Sequence, residues 1–260
     1  MIRVCLFLSP ALLALGCGRV DFERPQVSDG SVDSPIGSST DGSIDGPIDA
    51  APAIKTVRVD TPATVNAQRI SSSPLPLSAG NVVIAIPYWN DRTHRIAVTD
   101  STALTWKSID RQSVAQGCAA GTNLQIFYAT IPSSGTVTVT ATQPEGAGNM
   151  GLFVIEYSGL AEDPLDGSIG TPAPRESNLM TTGALTTTSF DVLVAAYHDS
   201  NGGGRMIPDA GFMVLATDTT SYAMTADRQV PPGSYEPTAR LPGTTSDACW
   251  VASVIALRAR

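Results

Sequence analysis

Between Lys55 and Arg260 the chain alternates short apolar runs with clusters of turn residues. The runs are Thr56–Asp60, Val82–Trp89, Arg95–Thr99, Leu104–Ile109, Leu124–Ile131, Thr136–Thr142, Gly151–Tyr157, Val192–His198, Phe212–Ala216, Ser221–Val230 and Cys249–Leu257. Turn clusters such as Ser133-Ser-Gly, Pro144-Glu-Gly and Pro231-Pro-Gly punctuate them. No stretch long enough for a helix carries a 3.6-residue apolar period free of breakers, so the pattern predicts about eleven or twelve strands. In Val82–Trp89 one face carries Val82, Ile84, Ile86 and Tyr88, and the other Val83, Ala85, Pro87 and Trp89. Gly151–Tyr157 and Cys249–Leu257 are likewise apolar on both faces, which predicts central strands covered on both sides. The fold expected for residues 55–260 is an all-β, jelly-roll-like antiparallel β-sandwich, with a closed barrel as the second choice.

The chain ahead of the strands reads differently. Residues 1–16 combine Arg3 with an apolar stretch from Val4 to Leu15, too short to span a bilayer and broken by Pro10. That is the form of an export signal. Its ending, Leu13-Ala14-Leu15-Gly16-Cys17, resembles the lipobox of bacterial lipoproteins, although Ala14 and Leu15 depart from the usual residues. The resemblance implies cleavage before Cys17, acylation of that cysteine, and a membrane partner reached through the lipid anchor. Gly18 rather than Asp after the cysteine favours the outer over the inner membrane. Cleavage by an ordinary signal peptidase would instead release the protein.

Residues 17–54 then form a tether. From Gly18 to Ile54 there are seven acidic and two basic residues, and Asp29-Gly-Ser-Val-Asp33-Ser-Pro-Ile36 recurs as Asp41-Gly-Ser-Ile-Asp45-Gly-Pro-Ile48. So little apolar bulk cannot repay the entropy of ordering, and an extended, disordered linker is expected. The Asp spacing lacks the clustered ligands and terminal Glu of a calcium loop. This composition resembles the Asp-Gly-Pro-rich tethers of myxobacterial lipoproteins.

The net charge of the whole chain is −8, with 15% charged and 6% aromatic residues. An acidic chain of this kind argues against nucleic-acid binding. Most of the acidity belongs to the tether, so the folded part is close to neutral.

A second resemblance rests on Gly80-Asn-Val-Val-Ile-Ala-Ile86, Ile96-Ala-Val-Thr-Asp100, Leu104-Thr-Trp106, Gln125-Ile-Phe-Tyr128 and Ile155-Glu-Tyr-Ser-Gly-Leu160. Together they are similar to a β-sandwich module of secreted bacterial proteins, often found beside lectin-like or adhesive domains. It implies the fold and no particular activity.

Cys118 and Cys249 remain once Cys5 leaves with the signal and Cys17 is lipidated. In an exported domain the pair suggests one disulfide, with two unpaired buried thiols as the alternative. Catalytic patterns are sparse. The two histidines are His94 and His198, Ser158 lacks a nucleophile elbow, and no phosphate loop occurs. Glu156, on a strongly apolar strand, is the candidate functional acid of a hydrolase acting on extracellular polymer; its simpler reading is a carboxylate paired with arginine or capped by backbone amides.

Binding is the more natural expectation. Tyr88-Trp89-Asn90-Asp91 mixes aromatic rings with hydrogen-bonding groups at a strand end, and Tyr197-His198-Asp199-Ser200-Asn201 is the second such cluster; the simpler reading of each aromatic is plain core packing. The ligand expected is a glycan or, alternatively, an envelope protein. No cofactor is expected, though Asp91, Asp100 and Asp199 are donors of the type that hold a structural calcium ion in many jelly rolls; nothing in their spacing requires one.

Overall fold

A computed structural model describes residues 53–91, 95–114, 121–143, 148–172, 177–200, 205–219, 222–242 and 249–260. The export signal, Cys17 and nearly all of the tether lie outside them. Ile54, at the tether's end by sequence, is buried in the core, and its carbonyl accepts a hydrogen bond from Gln229 Nε2 at 2.8 Å.

The chain begins with β1 (Lys55–Asp60), β2 (Ala63–Ala67), β3 (Arg69–Ser71), β4 (Leu75–Leu77), β5 (Val82–Trp89) and β6 (Ala97–Asp100). It continues through β7 (Lys107–Ser108), β8 (Gln112–Val114), β9 (Thr122–Leu124), β10 (Phe127–Thr130), β11 (Gly135–Val137), β12 (Val139–Thr142) and β13 (Gly148–Ser158). Then come β14 (Leu160–Pro172), β15 (Leu179–Thr181), β16 (Leu185–Thr187), β17 (Asp191–Asp199) and β18 (Ile207–Pro208). The last strands are β19 (Met213–Asp218), β20 (Ala223–Val230), β21 (Gly233–Tyr235), β22 (Thr238–Arg240) and β23 (Trp250–Ala259). No helix occurs among the described residues, and the strand pairings found there are antiparallel.

The chain is built twice over. The first large sheet runs β1-β13-β5-β10-β7, with β2, β8 and β9 added at its margins; the second runs β14-β23-β17-β20-β19. Beside the first lie β3-β12-β6 and the ribbon β4-β11; beside the second lie β15-β22-β18 and the ribbon β16-β21. The register repeats as well. Ala141 pairs with Ile70 and Val98, as Ala239 pairs with Met180 and Pro208. Ile84 lies between Ile155 and Tyr128, as Val194 lies between Ile255 and Asp227. Gly135 faces Leu77, as Gly233 faces Thr187. Residues 55–158 and 160–259 therefore repeat one arrangement of strands.

Packing explains why the central strands are apolar throughout. Val82, Ile84, Ile86 and Tyr88 of β5 meet Val192, Val194 and Ala196 of β17 in a core between the two large sheets. Val83, Ala85 and Trp89 point the other way, toward Leu75, Val137 and Val139 of the small sheets. Leu193, Ala195 and Tyr197 do the same in the second half, against Met180, Leu185 and Ala239. Four layers thus enclose three cores, and all residues of β5 and β17 are buried. Each such Val or Ile contributes about 1.5–3 kcal/mol by leaving water. The strands of the described residues form stacked antiparallel sheets, the two largest face to face, rather than a closed barrel.

Candidate functional site

The two clusters singled out by sequence come together at one end of the central core. Asn123, on β9, joins them. Its backbone carbonyl lies 3.0 Å from Nδ1 of His198 and accepts that ring proton, while its Nδ2 donates to the carbonyl of Asp91 at 2.6 Å and of Trp89 at 3.3 Å. Gln143 Nε2 donates to the Asp91 carboxylate at 2.7 Å. Asn90, half-buried, donates its amide to Asn149 O, and the amide of Asp199 donates to Tyr222 O. Asn201 lies outside the described residues.

These groups are walls rather than a platform. Trp89, His198 and Asp199 are all 0% exposed. Trp89 packs in the first half's core, with its indole N–H buried and unpartnered. The strand end is roofed by β9 and by the start of β13, whose Met150 pairs with Trp89, so the ring packs in the core, the simpler of its two readings. An aromatic surface for stacking on a sugar is not offered here.

Tyr88 stands beside His198, their ring centroids 5.2 Å apart, and its hydroxyl donates to Asp218 Oδ2 at 2.8 Å. Burial, with the Asp218 carboxylate beside it, pushes the Tyr88 hydroxyl far above the usual phenol range. Gly151 lies opposite Tyr88, and a Cβ built on it would fall 2.1 Å from the ring, so only glycine lets the ring lie flat over the strand.

Glu156 has a structural task. It is 1% exposed, and its Oε1 accepts from the Ser78 amide and from Asn81 Nδ2, both at 2.8 Å. Arg58 Nε stands 3.7 Å from Oε2, an ion pair too long for a hydrogen bond. In the second half the position of Ser78 is taken by Thr188, whose amide and hydroxyl donate to Asp166 at 2.6 and 2.7 Å. Ala256, opposite Gly167, holds the place of Glu156. Both halves thus cap the amide at the same turn position with a carboxylate from another strand, drawn from β13 in one and β14 in the other. No open groove reaches Glu156 as polymer hydrolysis would need.

Of the calcium-type donors, Asp100 is fully committed to its own turn. It accepts from Thr102 N, Thr102 Oγ1, Leu104 N and Trp106 Nε1 at 2.6–2.9 Å, hydrogen bonds that outweigh partial burial and lower its pKa. Asp91 and Asp199 belong to the buried end described above. Among the described residues no three His, Cys, Asp or Glu side chains gather as a metal site. Cys249 is buried and disulfide-bonded, and Cys118, its expected partner, lies outside the described residues.

The accessible chemistry is at the margin of the first large sheet. There β7 pairs with β10 through only two residues, and the chain then turns away at Asp110 and Arg111. A cleft of about 690 Å³ opens there, lined by Arg95, Ser108, Asp110, Arg111, Gln125 and Phe127. Gln125 is fixed by donating Nε2 to Ile109 O at 2.9 Å, and the nearly buried Phe127 ring forms part of the wall. Two arginines, an aspartate, a glutamine and a serine line it, a set suited to a hydroxyl-rich ligand that also carries acid. Sequence reasoning passed over this group because its members come from separate connections; the only local signal was a charged pair, Asp110-Arg111, after an alternating run. In comparisons with protein-family models, curated proteins and solved structures, no match to this chain is found.

Proposed function

We propose that this protein is a non-catalytic binding module of the cell envelope, anchored by lipid on Cys17, whose first-half cleft holds an acidic glycan. The carrying observation is the cleft bearing Arg95, Arg111, Asp110, Gln125 and Ser108. Guanidinium groups engage carboxylates in paired hydrogen bonds, and the neutral donors and acceptors suit sugar hydroxyls. A jelly-roll reading of each half supports the same conclusion. The order β1-β13-β5-β10 facing β3-β12-β6 interleaves early and late strands as a double Greek key does. A glycan array tests the proposal: retention of uronate-bearing sugars over neutral counterparts supports it, and a blank array sinks it. Mass spectrometry of the mature N-terminus tests the anchor, since an unmodified Cys17 would refute lipidation.

A protein partner in the envelope is the second reading. It is favoured by the edge strands β1 and β19, where Val57, Met213 and Val214 are 43%, 60% and 39% exposed. Specific capture of an envelope protein that sugars do not compete away, lost in Met213→Asp, would favour it over the glycan.

A further inference from the structure

The duplication places a second cleft where the first one has its counterpart. Arg205-Met206 precedes Pro208 of β18 as Arg95-Ile96 precedes Val98 of β6, and these two strands pair identically with β22 and β12. Ala216 and Ile109 also correspond: each faces its neighbour at the matching register position, and each closes the central core. In the second half the cleft measures about 420 Å³ and is lined by Arg205, Met206, Thr217, Asp218, Tyr222 and Met224. The arginine is retained, but the polar groups of the first cleft are replaced. Met206 and Met224, 5% and 0% exposed, are core members of the second half lying beneath the cleft, and the half-buried Tyr222 ring supplies its accessible apolar wall.

We propose that this second cleft binds a small amphipathic carboxylate, its apolar body against Tyr222 and the edge of Met206 and its acid group on exposed Arg205. Orientation follows from charge. Arg205 gives the cleft a cationic side, and Tyr222 an apolar one, so the ligand's carboxylate is directed toward Arg205. Volumes of this order accommodate small organic ligands. Backbone strain supports a dedicated site independently. Tyr222 sits at φ +49°, a left-handed conformation costly for a bulky side chain, and it lines this cleft. Such strain is retained where surrounding contacts over-determine it, commonly at binding sites. The acidic-glycan reading of the first cleft plays no part in this inference.

The test is titration calorimetry of the full chain with octanoate, and with 1-octanol as its uncharged counterpart. Saturable one-to-one binding of octanoate is expected, with affinity at least tenfold weaker for 1-octanol and for Arg205→Ala, and abolished in Thr217→Trp. Both substituted residues are exposed, so both variants keep the fold. Arg95→Ala, in the other cleft, binds octanoate like the parent. Failure of octanoate to saturate overturns the proposal, as does unchanged affinity in both Arg205→Ala and Thr217→Trp. Equal affinity for 1-octanol overturns the assignment of Arg205 to the acid group.

Discussion

The hydroxyl of Tyr88 donates to the carboxylate of Asp218 at 2.8 Å, and the bond joins the two halves of the chain from inside their shared core. Tyr157 makes a second bond of the same kind, donating to Asp227 Oδ2 at 2.8 Å, where Thr56 Oγ1 also donates at 3.1 Å. In both cases a tyrosine of the first large sheet reaches an aspartate of the second. Apolar contact between the sheets is non-directional; these two bonds fix how one half is rotated against the other.

Tyr88→Phe is therefore expected to cost about 1.5–3 kcal/mol, the range for a hydrogen bond to a charged group. Gly151→Ala should cost about 1–3 kcal/mol by overpacking, because the added methyl displaces the same ring. In urea unfolding the double variant should lose much less than the sum of the two single losses, since both substitutions break one contact. Strict additivity would show that Gly151 and Tyr88 act separately.

The turn caps give a matched pair of predictions. Glu156→Ala leaves the Ser78 amide without its acceptor, and Asp166→Ala does the same to Thr188. Glu156→Ala, at a nearly buried carboxylate, should destabilise by about 1–3 kcal/mol, and Asp166→Ala, whose hydrogen bonds are exposed, by about 0.5–1.5 kcal/mol. Neither should alter glycan binding. A Glu156→Ala protein of unchanged stability that fails to bind ligand would return Glu156 to the list of functional acids.

Asp191 supplies a pH dependence. Burial, opposed by a hydrogen bond from Ser189 and reinforced by neighbouring Asp166, raises its pKa to about 6. A pKa above the unfolded value of 3.8 means that the folded state favours the protonated acid. Its contribution is full below the unfolded pKa and is lost as pH rises through about 6. Stability curves for the parent and Asp191→Asn, measured from pH 4 to 7, should differ in slope, with the variant flatter. Parallel curves would contradict this.

What could be read from the sequence follows physical lines. β5, β13, β17 and β23 announce themselves because strands covered on both faces must be apolar at every position. β14 does not: Leu160–Pro172 is an edge strand with Pro164, several glycines and acids, and two register shifts, so its pattern looks like a loop. Three-residue strands such as β3, β15 and β22 are too short to display a period of two. The duplication is hidden because what repeats is pairing and burial rather than residue identity. Leu75 and Leu185, Arg95 and Arg205, or Ile155 and Ile255 agree, but Glu156 answers to Ala256 and Tyr88 to His198. Trp89 is open to both readings in the sequence, core packing and a binding surface, for a related reason: whether a strand end is covered depends on β9 and β13, which arrive from elsewhere in the chain.

Trp89→Phe should keep the fold at a modest cost, since it removes packing volume together with an unpartnered indole N–H. Glycan affinity should not change. A large loss of affinity in a stably folded variant would move the site from the cleft to the buried end.

The binding function is tested most directly by titrating the protein with an oligogalacturonate and with a neutral oligosaccharide of equal length. The oligogalacturonate should bind saturably and more weakly as salt rises, as for any contact carried by exposed charges. Arg95→Ala should weaken it about tenfold, the equivalent of 1.4 kcal/mol, and the neutral sugar should not bind measurably. Absence of oligogalacturonate binding, or binding that Arg95→Ala leaves untouched, would contradict the account.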